Sequence, residues 1–224
     1  MSSLIKICGV RSSDIAVEAA SLGADLIGFV FFTKSPRHIA PDDAESIVTE
    51  VKRAAEDQGF APPHFVGLFV DAGEKALAET APFLSHFQFH GHESPERCAS
   101  IGAEFGVEVI KALAVDAAED IARADDFAEA ADMLLFDARP PKGAERPGGH
   151  GAVFDWSLLG DYKGETPFLL GGGLAPGNVA EAIAVAKPMA SFSGVDVSSG
   201  VETAPGVKDA AQLAAFIKAA RGAL

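Results

Sequence analysis

The sequence predicts a single α/β domain folded as a parallel (β/α)8 barrel of the TIM-barrel class. Three observations carry this prediction. The 224 residues, 48% of them hydrophobic, suit one large core better than two small ones. Short apolar runs alternate with helical stretches from one end of the chain to the other. Eight such runs can be placed, whereas open doubly wound sheets usually have about five or six strands. No linker or low-complexity segment divides the chain, so residues 1–224 form one domain.

The strands are predicted at 4–8, 25–31, 64–70, 86–89, 107–113, 132–137, 166–170 and 189–195. Their mostly continuous hydrophobicity fits parallel strands covered on the outer face. Helices fill the gaps, among them 12–22, 41–58, 94–104, 116–128, 176–186 and 208–220. Ser12, Ser13 and Asp14 offer N-caps, Pro176 fits a first helical turn, and Gly23 fits a stop. The connection 138–154 has neither period and directly follows Asp137. It reads either as a mobile lid over the active site or as a plain surface loop.

Eighteen basic residues stand against 32 acidic ones, a net charge of −14. With no basic patch or stripe, a nucleic-acid partner is not expected. No apolar run reaches the roughly 18 residues of a membrane span. The N-terminus lacks a basic region followed by an apolar stretch. Only Cys8 and Cys98 are present, which argues against a disulfide framework and for the cytoplasm.

Catalytic groups of a barrel come from the C-terminal ends of its strands, where the βα loops converge. The residues to weigh there are Cys8, Arg37, His90, Asp137 and Asp196. Cys8 ends an apolar strand and is followed by a glycine that lets the backbone turn away. It is either a base or a buried space-filler. Lys6 shares its face of the strand, and a nearby ammonium would favour the thiolate. Asp137 also ends an apolar run. Burial there would keep it protonated as a general acid, unless it caps a helix or pairs with Arg139. His90 lines the mouth or is structural. The six histidines show no helical i, i+4 pair and there is no CxxC, so no metal is expected.

Glycines cluster after the seventh and eighth strands, at Gly171-Gly172-Gly173 and at Gly194 to Gly200. In barrels these loops frequently hold a phosphate on backbone N–H groups. Tight turns alone are the other reading. Gly172, Gly173, Ser198, Ser199 and Gly200 are the candidate phosphate residues.

The chain resembles the phosphoribosylanthranilate isomerase family. The matching pieces are Lys6-Ile7-Cys8-Gly9, Gly28-Phe29-Val30-Phe31, Ser35-Pro36-Arg37, Phe65 to Val70, and Gln88-Phe89-His90-Gly91. They continue through Asp137-Ala138, Gly148-Gly149-His150-Gly151, Phe154-Asp155-Trp156, Gly172-Gly173-Leu174, and Gly194 to Glu202. They run in family order over nearly the whole chain. The resemblance implies an Amadori rearrangement in tryptophan biosynthesis that needs no cofactor, with Asp137 as general acid and Cys8 as general base. It also implies that Arg37 meets the anthranilate carboxylate, Asp196 a sugar hydroxyl or the amine, and His90 the pocket wall.

Three departures from the family pattern bear on lid and affinity: His92 after His-Gly, the Gly-Gly-His-Gly stretch followed by Ala152, and extra residues at 144–147. The expected partner is a small phosphoribosyl substrate, with no membrane, and the chain is a monomer or homodimer. The rivals are the histidine-pathway isomerase, which uses an aspartate base, and a non-catalytic phosphosugar-binding barrel.

Overall fold

Eight parallel strands close on themselves in the computed structural model, which describes residues 3–140, 143–144 and 148–224. They are β1 (Leu4–Cys8), β2 (Leu26–Val30), β3 (His64–Phe69), β4 (His86–Phe89), β5 (Glu108–Val115), β6 (Met133–Ala138), β7 (Phe168–Leu170) and β8 (Phe192–Val197). β8 returns to β1 in parallel register, with Lys6 opposite Asp196. The single-domain barrel expected from sequence is therefore observed. The helices are α1 (Ser13–Ser21), α2 (Pro41–Gln58), α3 (Glu74–Thr80), α4 (Pro95–Phe105), α5 (Ala118–Ala122), α6 (Val179–Ala186) and α7 (Ala210–Ala223).

Alternation along the strands sorts the side chains. Leu26, Val66, Ile110, Ala112, Leu135 and Leu169 fill the barrel interior, while Ile5, Ile7, Phe29, Phe87 and Phe136 pack outward under the helices. Interior positions nearer the mouth carry Lys6, Cys8, Gln88 and Asp137 instead. An apolar floor thus supports a polar mouth. α2 shows how a helix covers this shell: Ala44, Ile47, Val48, Val51, Ala54 and Ala55 recur at helical spacing and are buried. Pro41 opens it and Gly59, at φ 77°, ends it.

Several expectations are corrected. Among the described residues the β6–β7 connection holds no α-helix. A 3-10 turn, Trp156–Asp161, takes its place with Leu159 buried, and Tyr162 packs edge-on to Phe136 and Phe168 at 5.3 and 5.7 Å. The helix expected at 116–128 is α-helical only in α5, because Asp120 accepts the N–H groups of Asp116 and Ala117 and fixes its start. The rest of that segment, Arg123–Phe127, is a 3-10 turn. α6 begins after Pro176, since Asn178 Oδ1 first takes the Ala175 N–H at 2.8 Å. Ser12 holds the N-cap position of α1 without a side-chain cap.

The eighth strand starts three residues later and ends two later than expected, because the Met189 N–H still bonds to Ala186 O. Asp196 therefore sits within β8 and not after it. α7 starts at Ala210, where Asp209 caps the Gln212 N–H, and not at Lys208. Lys208 belongs to a hairpin that the sequence did not announce, formed by β9 (Glu202–Ala204) and β10 (Val207–Lys208).

Candidate active site

The strand ends converge on one pocket with two lobes. The first holds about 480 Å³ and is lined by Cys8, Arg37, Gln88, His90 and Asp137 among apolar side chains such as Leu68 and Phe32. The second holds about 390 Å³ and is bounded by Gly172, Gly173, Ser198 and Ser199. Asp137, Asp196 and Ser198 border both. One lobe is thus largely apolar with a few polar groups, and the other is polar and rich in glycines, Gly148, Gly149, Gly151, Gly172 and Gly173 among its lining.

Asp137 faces the pocket from the end of β6 with its side chain 15% exposed. Burial pushes its carboxyl up to about 7, and the nearby Asp196 charge adds to this. The Ala138 N–H at 2.9 Å and the Lys6 charge oppose the shift without overcoming it. Arg139 turns away to Asp120 and Asp116, so it is not the partner of Asp137. His90 Nε2 lies 3.5 Å from Asp137 Oδ2. Burial, aided by the Lys111 and Lys6 charges, pushes His90 down to about 3. The imidazole is therefore neutral near pH 7 and the contact is not an ion pair.

Cys8 ends β1, buried, in the space left by the missing side chain of Gly28, whose Cβ would fall 3.1 Å from the sulfur. Burial raises the Cys8 pKa. The Lys6 and Lys208 charges pull it down and the Asp196 charge pushes it up, and burial prevails. Lys6 thus favours the thiolate, as its place on the same strand face implies, without outweighing burial. Lys6 is fully buried and holds Asp196 Oδ1 at 2.6 Å, so much of its charge is already matched. Cys98 is a free thiol buried on α4, pushed by burial up to about 11, and lies outside the pocket.

Arg37 is 5% exposed at its side chain and points along the wall of the first lobe. Glu202 grips it through Nε and one terminal nitrogen, both at 2.8 Å, and the Gly149 carbonyl accepts from it at 3.4 Å. Gly149 sits at φ 75°, and a Cβ there would collide with the guanidinium. Gly149→Ala is expected to raise KM by about 10-fold or more with a smaller change in kcat. An unchanged KM would show that ligand binding does not depend on where Arg37 now lies.

Gly172 and Gly173 have φ 79° and 64°, and side chains there would strike Ala138 N and Ala152 O. They let the backbone turn tightly along the second lobe. Ser198 and Ser199 line that lobe, but Gly200 does not. A Cβ on Gly200 would run into the Leu174 carbonyl, so it allows the two loops to touch. Of the long connection after Asp137, Gly148 lies against Asp137 and His90. The reading of 138–154 as a mobile lid or plain surface loop falls in part, and the extra residues at 144–147 all but Ala144, on positions 141–142 and 145–147, outside the described residues.

Gln88, Glu202 and Lys208 were missed from sequence. Gln88 could have been found, since it shares the strand face of His90 two residues on. Its carboxamide oxygen is buried and has no hydrogen-bond partner among the described residues. For Glu202 and Lys208 no spacing pointed to the pocket.

Comparison with known proteins now adds to this geometry. The family profile described as PRAI, N-(5′-phosphoribosyl)anthranilate (PRA) isomerase, matches residues 5–219. A relative named N-(5′-phosphoribosyl)anthranilate isomerase, from Rhodospirillum rubrum, is 50% identical over 220 residues, covering 97% of both chains. The protein of that name from Rhizobium meliloti is 42% identical over 225 residues, covering 100% of this chain and 99% of its own. Among solved structures, phosphoribosyl anthranilate isomerase from Thermotoga maritima gives a TM-score of 0.82 at 36% identity, covering 98% of this chain and 99% of that one. A structure of the isomerase in complex with reduced 1-(o-carboxyphenylamino)-1-deoxyribulose 5-phosphate gives 0.79 at 34% identity, with the same coverage.

Proposed function

The chain belongs to the N-(5′-phosphoribosyl)anthranilate isomerase family and is an isomerase of tryptophan biosynthesis; from this we propose that Asp137 and Cys8 are its acid and base. Asp137 would protonate the furanose ring oxygen while the anthranilate nitrogen lone pair opens the ring to a Schiff base. The Cys8 thiolate would then remove the C2 proton, giving an enolamine that tautomerises to the ketone. The resulting carboxylate and thiol would regain their starting protonation through solvent.

The observation that carries this reading is the Asp137 carboxyl, raised to about 7 at the end of β6 and sharing a pocket with Cys8 at the end of β1. A protonated carboxyl at neutral pH is what an acid beside a developing alcohol requires. The apolar lobe suits an aromatic ring, with Arg37 at its wall for a carboxylate and the neutral His90 beside it. The glycine-rich lobe suits a phosphate. Asp196 borders both and would meet a sugar hydroxyl or the amine. We also propose that the 138–154 connection covers the bound substrate, that the protein is cytoplasmic, and that it is a monomer or homodimer. Among the described residues no helix is long and apolar enough to cross a membrane.

The test is growth rescue of two auxotrophs, one lacking this tryptophan step and one lacking the analogous histidine-pathway isomerase. Rescue of the tryptophan auxotroph alone is expected. Rescue of the histidine auxotroph would mean a broader substrate range, and rescue of neither would favour a barrel that binds without turnover.

A further inference from the structure

The acid/base pair leaves one buried cluster beside the site unexplained. Lys208 is 2% exposed at its side chain, and its ammonium has three acceptors. They are Glu202 Oε1 at 2.8 Å, the Ser198 carbonyl at 3.0 Å and Ser198 Oγ at 3.5 Å. Three acceptors match the three donors of an ammonium. Glu202, 4% exposed, also takes both bonds from Arg37 and a third from the Gly206 N–H at 3.2 Å. Burial pushes its pKa up, but the Arg37 hydrogen bonds and the Lys208 charge win and hold it below the ordinary glutamate value.

The hairpin that carries Glu202 and Lys208 is fitted to the loop that carries Arg37. Gly206 lies at φ 82°, and a Cβ there would collide with the Pro36 carbonyl, one residue before Arg37. At its other end, Lys208 holds Ser198, which borders both lobes.

We propose that Lys208 is a positioning residue joining the two ends of the ligand site. Through Glu202 it sets the Arg37 guanidinium, and through Ser198 it sets the loop that walls the second lobe. This rests on reading Arg37 as the carboxylate partner and the second lobe as the phosphate cradle. Arg37 and Lys208 share one carboxylate, so the cluster carries an excess positive charge in a place nearly free of water. That excess favours an anionic ligand. It also supplies a cation to the loop after β8, which contains none of its own. A plain structural brace would instead affect folding alone.

The experiment measures inhibition constants for anthranilate and for inorganic phosphate, with KM, kcat and Tm, in the full-length enzyme and four variants. Lys208→Met is expected to weaken both inhibitors by about 10-fold or more and to raise KM more than it lowers kcat. Lys208→Arg, which keeps the charge but moves it, is expected to fall between Lys208→Met and wild type for both. Folded Lys208→Met with both constants within about twofold of wild type would overturn the proposal. Should Lys208→Met not fold, unchanged constants in Lys208→Arg would overturn it equally. Ile217→Ala, a core change on α7, lowers Tm alone if the proposal holds; equal weakening of both inhibitors there would reduce Lys208 to a brace. Arg37→Lys separates the premises: if it leaves anthranilate binding unchanged, the reading of Arg37 fails, whereas the inference about Lys208 fails alone if only Arg37→Lys has an effect.

Discussion

Asp137→Asn is expected to lower kcat by about 10²-fold or more, the range of a lost general acid, while making the protein more stable at alkaline pH. Both effects have one cause, a carboxyl whose charged form is poorly solvated at the end of β6. In the unfolded chain an aspartate titrates near 3.9, but in the folded site Asp137 titrates at about 7. Between those values the folded state holds the proton that the unfolded state has released. Stability is therefore fully present below the unfolded value and is lost as pH rises through the folded one. The loss is about 2–4 kcal/mol at full ionisation, at ~1.4 kcal/mol per pKa unit with allowance for the partly exposed side chain. Asparagine cannot ionise. Thermal melts should therefore show variant and wild type close together near pH 4, with the variant higher at pH 8. Equal pH dependence of the two melts would mean that Asp137 is not the buried acid.

Cys8→Ala is expected to lower kcat/KM by about 10²-fold or more across neutral pH. Burial holds the resting Cys8 pKa above the ordinary cysteine value despite Lys6 and Lys208, so the thiolate is the minor form in the free enzyme. The productive state, protonated Asp137 with ionised Cys8, is then a minority state at every pH. Wild-type kcat/KM should rise with pH to a bend near 7, stay level, and fall once Cys8 is fully ionised. With Cys8 removed, the residual rate depends on Asp137 alone: flat below about 7 and falling above it. A Cys8→Ala enzyme with near wild-type turnover would remove the residue from the mechanism.

Much of the site could be read from strand ends. An apolar run that stops at Cys8 or at Asp137 places that side chain at the rim of a closed sheet, and eight such runs make the rim a ring. The glycine loops were legible because backbone must come close to something there, although Gly200 serves contact between loops and not the lobe itself. What the sequence could not convey was dryness and long-range pairing. Lys6 was correctly placed beside Cys8, yet the sign of the net shift depends on how little water reaches the thiol and on Asp196 already holding the ammonium. Glu202 and Lys208 stand 165 and 10 positions from the Arg37 and Ser198 they contact. No local period encodes such contacts. The helix predicted over 208–220 begins two residues later, since Asp209 is the N-cap and Lys208 stays in the hairpin.

The central claim is that Asp137 supplies the proton and Cys8 removes one, with the acid the more readily ionised of the two. The most direct test is the pH profile of kcat/KM for Asp137→Asn beside wild type, since this ratio reports groups of the free enzyme. The account predicts that the wild-type bend near 7 disappears in the variant, whose residual rate keeps rising with pH until Cys8 ionises. A bend near 7 that persists in Asp137→Asn would contradict it.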